Sequence, residues 1–194
     1  MTDVAGYIFD CDGTLTDSMP HHFVAWQTTM ENHGIEFSED RFYALAGMPT
    51  EKIIQLLSME QDVAVDPKLA SQEKELAFLK QIDQLRSIEP VVTKARSLFG
   101  HHPISVASGG TRDSVLAQLK QIGIHELFPV IVTAEDTQRH KPEPDVFLKA
   151  AQLMNVEPTL CCVYEDSDLG IQAAKAAGMQ WFDIRTIHTP RRVT

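Results

Sequence analysis

Along most of this chain, short apolar runs alternate with stretches in which apolar residues return every three or four positions. Val4 to Phe9, Ile104 to Ala107, Val130 to Val132, Leu160 to Tyr164 and Trp181 to Ile184 have the length and the β-branched or aromatic content of buried strands. Helical spacing fills Thr111 to Ile122, Val146 to Met154 and Leu169 to Ala177; Gly123 stops the first of these and Gly178 the last. Strands that alternate with helices of this length need right-handed crossovers. The expected fold is therefore α/β, a doubly wound, Rossmann-like parallel sheet.

One block breaks the alternation. From Pro20 to about Asp83 the spacing is helical, and no strand pattern occurs. Phe23, Trp26 and Met30 form one stripe, Ile53, Ile54 and Leu57 a second, and Leu69, Leu76 and Leu79 a third. Gly34, Gly47-Met48-Pro49 and Asp66-Pro67 divide the block into about four helices. The expected organisation is a catalytic core at 1–16 plus 86–194, with a helical cap at 17–85 inserted after strand one. The tail after Ile184, containing Thr189-Pro190-Arg191-Arg192, reads as a loosely held surface end.

Composition narrows the possible partners. A chain of 194 residues that is 43% hydrophobic builds one core with a modest insertion. Its net charge of −10 repels nucleic acid and anionic lipid. No apolar run approaches the ~20 residues of a membrane helix, and three cysteines, two of them adjacent, read as reduced thiols. The expected setting is the cytoplasm, and any anionic substrate would have to be held by local positive charge, from a metal ion or a few placed lysines; oligomeric state is not legible.

Functional groups in doubly wound sheets gather at the carboxyl ends of the strands. Asp10 and Asp12 follow the first strand, Ser108-Gly109-Gly110 the second, Lys141 lies beyond the third, and Glu165-Asp166 follow the fourth. Several carboxylates on one edge repel each other by roughly 4 kcal/mol per close pair at surface-like dielectric, so they call for a cation. Oxygen donors beside phosphate select Mg²⁺. Asp10, near the ordinary carboxylate pKa of ~3.9, would be an ionised nucleophile without a helper base. Lys141 would neutralise phosphoryl oxygens, while Ser108 and the amides near Gly13 and Gly109 donate to them. Asp12 would be the general acid and then the base, its pKa raised by the neighbouring carboxylate.

Asp10-Cys11-Asp12-Gly13-Thr14-Leu15-Thr16-Asp17, Ser108, Lys141-Pro142 and Glu165-Asp166-Ser167 together resemble the four ordered motifs of the haloacid dehalogenase-like hydrolase superfamily. The stretches His22 to Trp26 and Glu165 to Ala174 are similar to the branch holding β-phosphoglucomutase and the phosphatases of fructose 1-phosphate and 6-phosphogluconate. The resemblance implies Asp10 as nucleophile and Mg²⁺ ligand, Asp12 as acid/base with its carbonyl on the metal, Asp166 as a direct ligand and Glu165 orienting its water shell. It implies a hinge histidine at His22 and a substrate-contacting lysine at Lys74. Where the mutase branch has an arginine after its cap loop, this chain has Thr50, which brings no charge. The expected activity is thus Mg²⁺-dependent hydrolysis of a small sugar phosphate through an aspartyl-phosphate, with β-phosphoglucomutase as the alternative. A receiver-type signalling module is disfavoured by the helical insertion, and a haloacid dehalogenase by Asp12, an acid that carbon–halogen cleavage does not require.

Overall fold

A computed structural model describes residues 3–193. The first strand, β1 (Gly6–Phe9), is followed by four helices that make the insertion: α1 (Met19–Asn32), α2 (Glu39–Ala44), α3 (Thr50–Gln61) and α4 (Pro67–Leu79). The chain then returns to the sheet through α5 (Glu89–Leu98), β2 (Ile104–Ala107), α6 (Arg112–Gln121), β3 (Val130–Val132), α7 (Asp145–Met154), β4 (Cys161–Glu165), α8 (Asp168–Ala176) and β5 (Gln180–Asp183). All strand pairs are parallel, in the order β3-β2-β1-β4-β5. The sheet is the expected one, with β1 at its centre.

Residues of opposite parity on β1 face opposite layers, as the pleat requires. Phe9 is buried with Val91, Val92, Ala95 and Leu98 of α5 and Val115 and Leu119 of α6. Its neighbour Ile8 packs with Val146, Phe147 and Ala150 of α7 and Ala173 and Ala174 of α8. Each such side chain contributes about 1.5–3 kcal/mol on leaving water. Both layers pull on β1, and its carboxyl end is consequently held in place.

The cap has its own core, in which Phe23, Trp26 and Met30 of α1 meet Phe42 of α2 and Ile53, Ile54 and Leu57 of α3. Two of the three expected stripes are thus the buried faces. The third is not. Leu69 and Leu76 of α4 are 51% and 60% exposed, and the buried face of that helix is Ala70, Lys74 and Phe78.

Helix α5 falls where no helix was expected, although Val91, Val92, Ala95 and Leu98 keep helical spacing and Pro90 suits a first turn. The two chain crossings between core and cap run side by side: Asp17 N–H donates to the Arg86 carbonyl at 2.9 Å and Ile88 N–H to the Leu15 carbonyl at 2.9 Å. The tail departs from expectation as well. Arg192 bonds Asp40 at 3.0 Å and sits 4.2 Å from the Tyr43 ring centroid, while Val193 N–H donates to Glu39 at 2.9 Å, so the tail is tied to α2 of the cap. No helix among the described residues is long and apolar enough to cross a membrane.

Candidate active site

The carboxyl end of β1 delivers Asp10, and that of β4 delivers Glu165 and Asp166. Between them stands Lys141, on the loop from β3 to α7. Its Nζ donates to Asp10 Oδ1 at 2.6 Å and to Glu165 Oε1 at 2.7 Å, with all three side chains more than nine-tenths buried. Glu165 is fixed further by the Ser167 amide, which donates to Oε2 at 2.6 Å. Ser167 in turn caps α8, its Oγ accepting from Gly170 N–H. A Cβ on Gly170 would lie 1.7 Å from Glu165 Oε1, so only glycine leaves room for that carboxylate. The Glu165-to-Gly170 stretch is thus one unit that places a charge.

Asp10, Glu165 and Asp166 bring ligand oxygens within 4.8 Å of one another. Burial pushes Asp10 up, Lys141 pulls it back, and the charges of Glu165 and Asp12 push again, leaving it raised to about 7. Asp166 is also raised well above its ordinary value, by burial, then by Glu165 and Asp10. This corrects the expectation of an ordinary, freely ionised Asp10. Three carboxylates share one lysine, and the cluster carries more negative charge than Lys141 offsets. An all-oxygen donor set with that imbalance fits a hard divalent cation. Gly13, at φ 71°, belongs to the same fit: a Cβ there would lie 2.1 Å from Asp166 Oδ2. Its N–H, expected to face substrate, is already donated to the Thr16 carbonyl at 2.9 Å.

Asp12 points toward the cap. Its Oδ1 accepts from Ser18 Oγ at 2.7 Å and lies 2.7 Å from His22 Nε2. The other ring nitrogen, Nδ1, is 3.0 Å from Lys74 Nζ. A lysine ammonium can only donate, so Nδ1 accepts and Nε2 carries the proton given to Asp12. Burial raises the Asp12 pKa, but His22 and Ser18 outweigh it and hold this carboxyl well below the usual range. The expected upward shift from Asp10 does not occur, because the hydrogen bonds nearest Asp12 all come from donors. His22 itself is lowered, by burial and then by Lys74. Lys74 is 4% exposed, stands over the rings of Trp26 and Phe78, and pairs with Glu75 at 3.0 Å; it is no solvated face residue.

A cavity of about 440 Å³ joins these groups to the cap. Ser108 and Gly109 line its core side, with Ser108 Oγ 3.0 Å from the Gly110 amide that it accepts from. Thr50 lines the cap side. Lys52, two residues on, lines it too and was missed; it is exposed, and no carboxylate of the described residues pairs with it. The cap wall is therefore not uncharged. Gln118 was also missed. It is fully buried on α6, and its Oε1 accepts from Thr16 Oγ1 at 2.6 Å. No motif signals it, because only the packing of α6 on the β1 turn brings it there.

A buried carboxylate in a cluster whose oxygens could hold a cation, a second carboxylate held by cap donors and a cavity that spans both have the chemistry of a phosphoryl-transfer hydrolase. The haloacid dehalogenase-like hydrolase family model matches residues 7–184, and the chain belongs to that family. It is 38% identical over 185 residues to the fructose-1-phosphate phosphatase YqaB of Escherichia coli, covering 94% of this chain and 97% of that protein. It is 29% identical to the β-phosphoglucomutase of Bacillus subtilis, across 89% and 79% of the two chains. Among solved structures, a hydrolase from Pseudomonas syringae superposes with a TM-score of 0.86 at 24% identity, across 95% of this chain and 87% of that one, and so shares the fold. The chain is accordingly a phosphoric monoester hydrolase.

Proposed function

We propose that the enzyme hydrolyses small sugar phosphates of the fructose 1-phosphate or 6-phosphogluconate kind, with Mg²⁺ bound by Asp10, Asp166 and the Asp12 carbonyl and with Glu165 supporting that shell. The observation that carries this reading is the meeting of Asp10, Lys141, Glu165 and Asp166 at one sheet edge beneath a cap cavity. We take residues 17–85 as that cap and the remainder as the catalytic core; the paired crossings at Asp17 and Arg86 support the division.

When bound, Mg²⁺ supplies charge neutralisation at the phosphoryl oxygens and keeps the carboxylates ionised. Asp10 attacks phosphorus, and the bond to the sugar oxygen breaks, giving an aspartyl-phosphate. Lys141 and Ser108 hold the transferring group, and a low dielectric strengthens both contacts. The departing alkoxide needs a proton, which Asp12 gives from its protonated form; because Ser18 and His22 hold it ionised here, Asp12 must take up that first proton from solvent as substrate enters, and it regains one from the water that attacks the aspartyl-phosphate. The Lys74–His22–Asp12 chain orients that carboxyl and holds it in the ionised form that the second step uses.

The test is phosphate release from a panel of sugar phosphates, with Mg²⁺ and with EDTA. Release in Mg²⁺ alone, absent in Asp10→Asn and nearly absent in Asp12→Ala, is expected; full activity in Asp10→Asn would sink the reading. Lys52 in the cavity favours a second reading, a β-phosphoglucomutase that holds a bisphosphate. Glucose 6-phosphate formed from β-glucose 1-phosphate and glucose 1,6-bisphosphate, without net phosphate release, would select it.

A further inference from the structure

A second cavity, of about 460 Å³, lies where the core–cap crossings, the cap and the tail meet. Arg86 of the second crossing, His21 of α1, Gln81 and Gln84 after α4, and Arg191 and Arg192 of the tail line it. None of these six lines the active-site cavity. Three of the eight arginines in a chain of net charge −10 therefore converge on one hollow.

Two of these three charges are not spent internally. Arg192 is engaged by Asp40 and Tyr43, and this fixes the tail in position. Arg86 and Arg191 have no carboxylate within ion-pair distance among the described residues. The one acidic residue on the wall, Asp17, is 3.2 Å from His188 Nε2. The Arg86 backbone is held by the Asp17 amide at 2.9 Å, and His21 Nδ1 lies 3.3 Å from Gln81 Oε1, so this side of the wall is built rather than loose. Guanidinium forks match the oxygens of a phosphoryl group, and histidine and glutamine add donors. The volume suits a small metabolite.

We propose that this hinge cavity binds a small multivalent oxyanion, a phosphate or diphosphate group, at a site separate from the catalytic one. The site does not depend on the proposed substrate. Inorganic phosphate and pyrophosphate serve as probes, titrated calorimetrically in EDTA at about pH 8, where the ionised carboxylates of Asp10, Asp12, Glu165 and Asp166 repel anions from the active site. Saturable binding to the wild type and to Lys52→Met, altered in the active-site cavity, is expected, weakened at least about tenfold in an Arg86→Ala, Arg191→Ala double variant. Both arginines are exposed, so the double variant keeps the fold, which circular dichroism checks. Tighter binding of pyrophosphate identifies a diphosphate ligand, and equal binding a single phosphate group. Hydrogen exchange should show protection at residues 17–21 and 84–87. No saturable binding at millimolar concentration, binding that survives in the double variant, loss in Lys52→Met, or protection at residues 108–111 instead would each overturn the proposal.

Discussion

Lys141 stands between two buried carboxylates, and its own burial penalty is outweighed by them, so Asp10 and Glu165 hold it well above the ordinary lysine range. Removing it leaves both partners buried beside an unneutralised charge. Lys141→Met should therefore abolish turnover and also cost about 3–5 kcal/mol of stability in the metal-free protein, measured by urea unfolding in EDTA. Lys52 is the opposite case. It is exposed and unpaired on the cap wall, so Lys52→Met should unfold like the wild type, within about 0.5 kcal/mol. If it holds the far end of the substrate, that variant should raise KM several-fold for a sugar acid phosphate such as 6-phosphogluconate, with kcat little changed. Steady-state kinetics on that substrate and on fructose 1-phosphate, which has no second anionic group, would show whether the effect follows charge.

At the scale of elements, α4 carries the sharpest test. Its Phe78 is fully buried and stacks on His22, with ring centroids 3.7 Å apart and planes 11° from parallel. Phe78→Ala should cost about 3–5 kcal/mol and loosen the histidine that faces Asp12, whereas Leu76→Ser on the exposed face should cost less than about 0.5. Thermal unfolding of both variants decides it. A stripe of Leu69, Leu76 and Leu79 reads as the inner face because leucine outweighs alanine and lysine in any count of hydrophobicity. The fold instead buries the lysine that serves His22 and sets its ammonium over the Trp26 and Phe78 rings. The strands and α6 to α8 were legible, since a parallel sheet covered on both faces makes its strands nearly continuous apolar runs. Asp10, Asp12, Ser108, Lys141 and Glu165-Asp166 were legible as a set, because each follows a strand end. Lys52 and Gln118 were not: each sits at no motif position and reaches the site only through a helix packed from elsewhere in the chain.

Across the whole molecule, the carboxylate cluster couples metal, pH and folding. Asp10 rises to about 7 in the folded, metal-free protein from an ordinary 3.8, and Asp166 moves in the same direction. A carboxyl whose folded pKa is raised contributes stability in full below its unfolded value and loses it as pH climbs through the folded one. Asp12, Asp136 and Asp183 have the opposite sign, but their window lies at and below the ordinary carboxylate value. His22 is lowered from 6.5, so its unfavourable protonation also belongs to more acidic conditions. Between about pH 6.5 and about pH 8, then, the raised carboxyls dominate, and stability in EDTA should fall as pH rises. On the proposed function, Mg²⁺ would take over the neutralisation that protons provide at lower pH, and would have to displace them to bind. Its stabilising effect should therefore be larger at the alkaline end, reaching about 2.7 kcal/mol at a hundredfold excess over Kd. Melting curves at both pH values, with EDTA and with Mg²⁺, test the coupling. A metal-free Tm that does not fall toward pH 8, or a Mg²⁺ shift equal at both values, would show that these carboxylates do not share their charge as the structure has them.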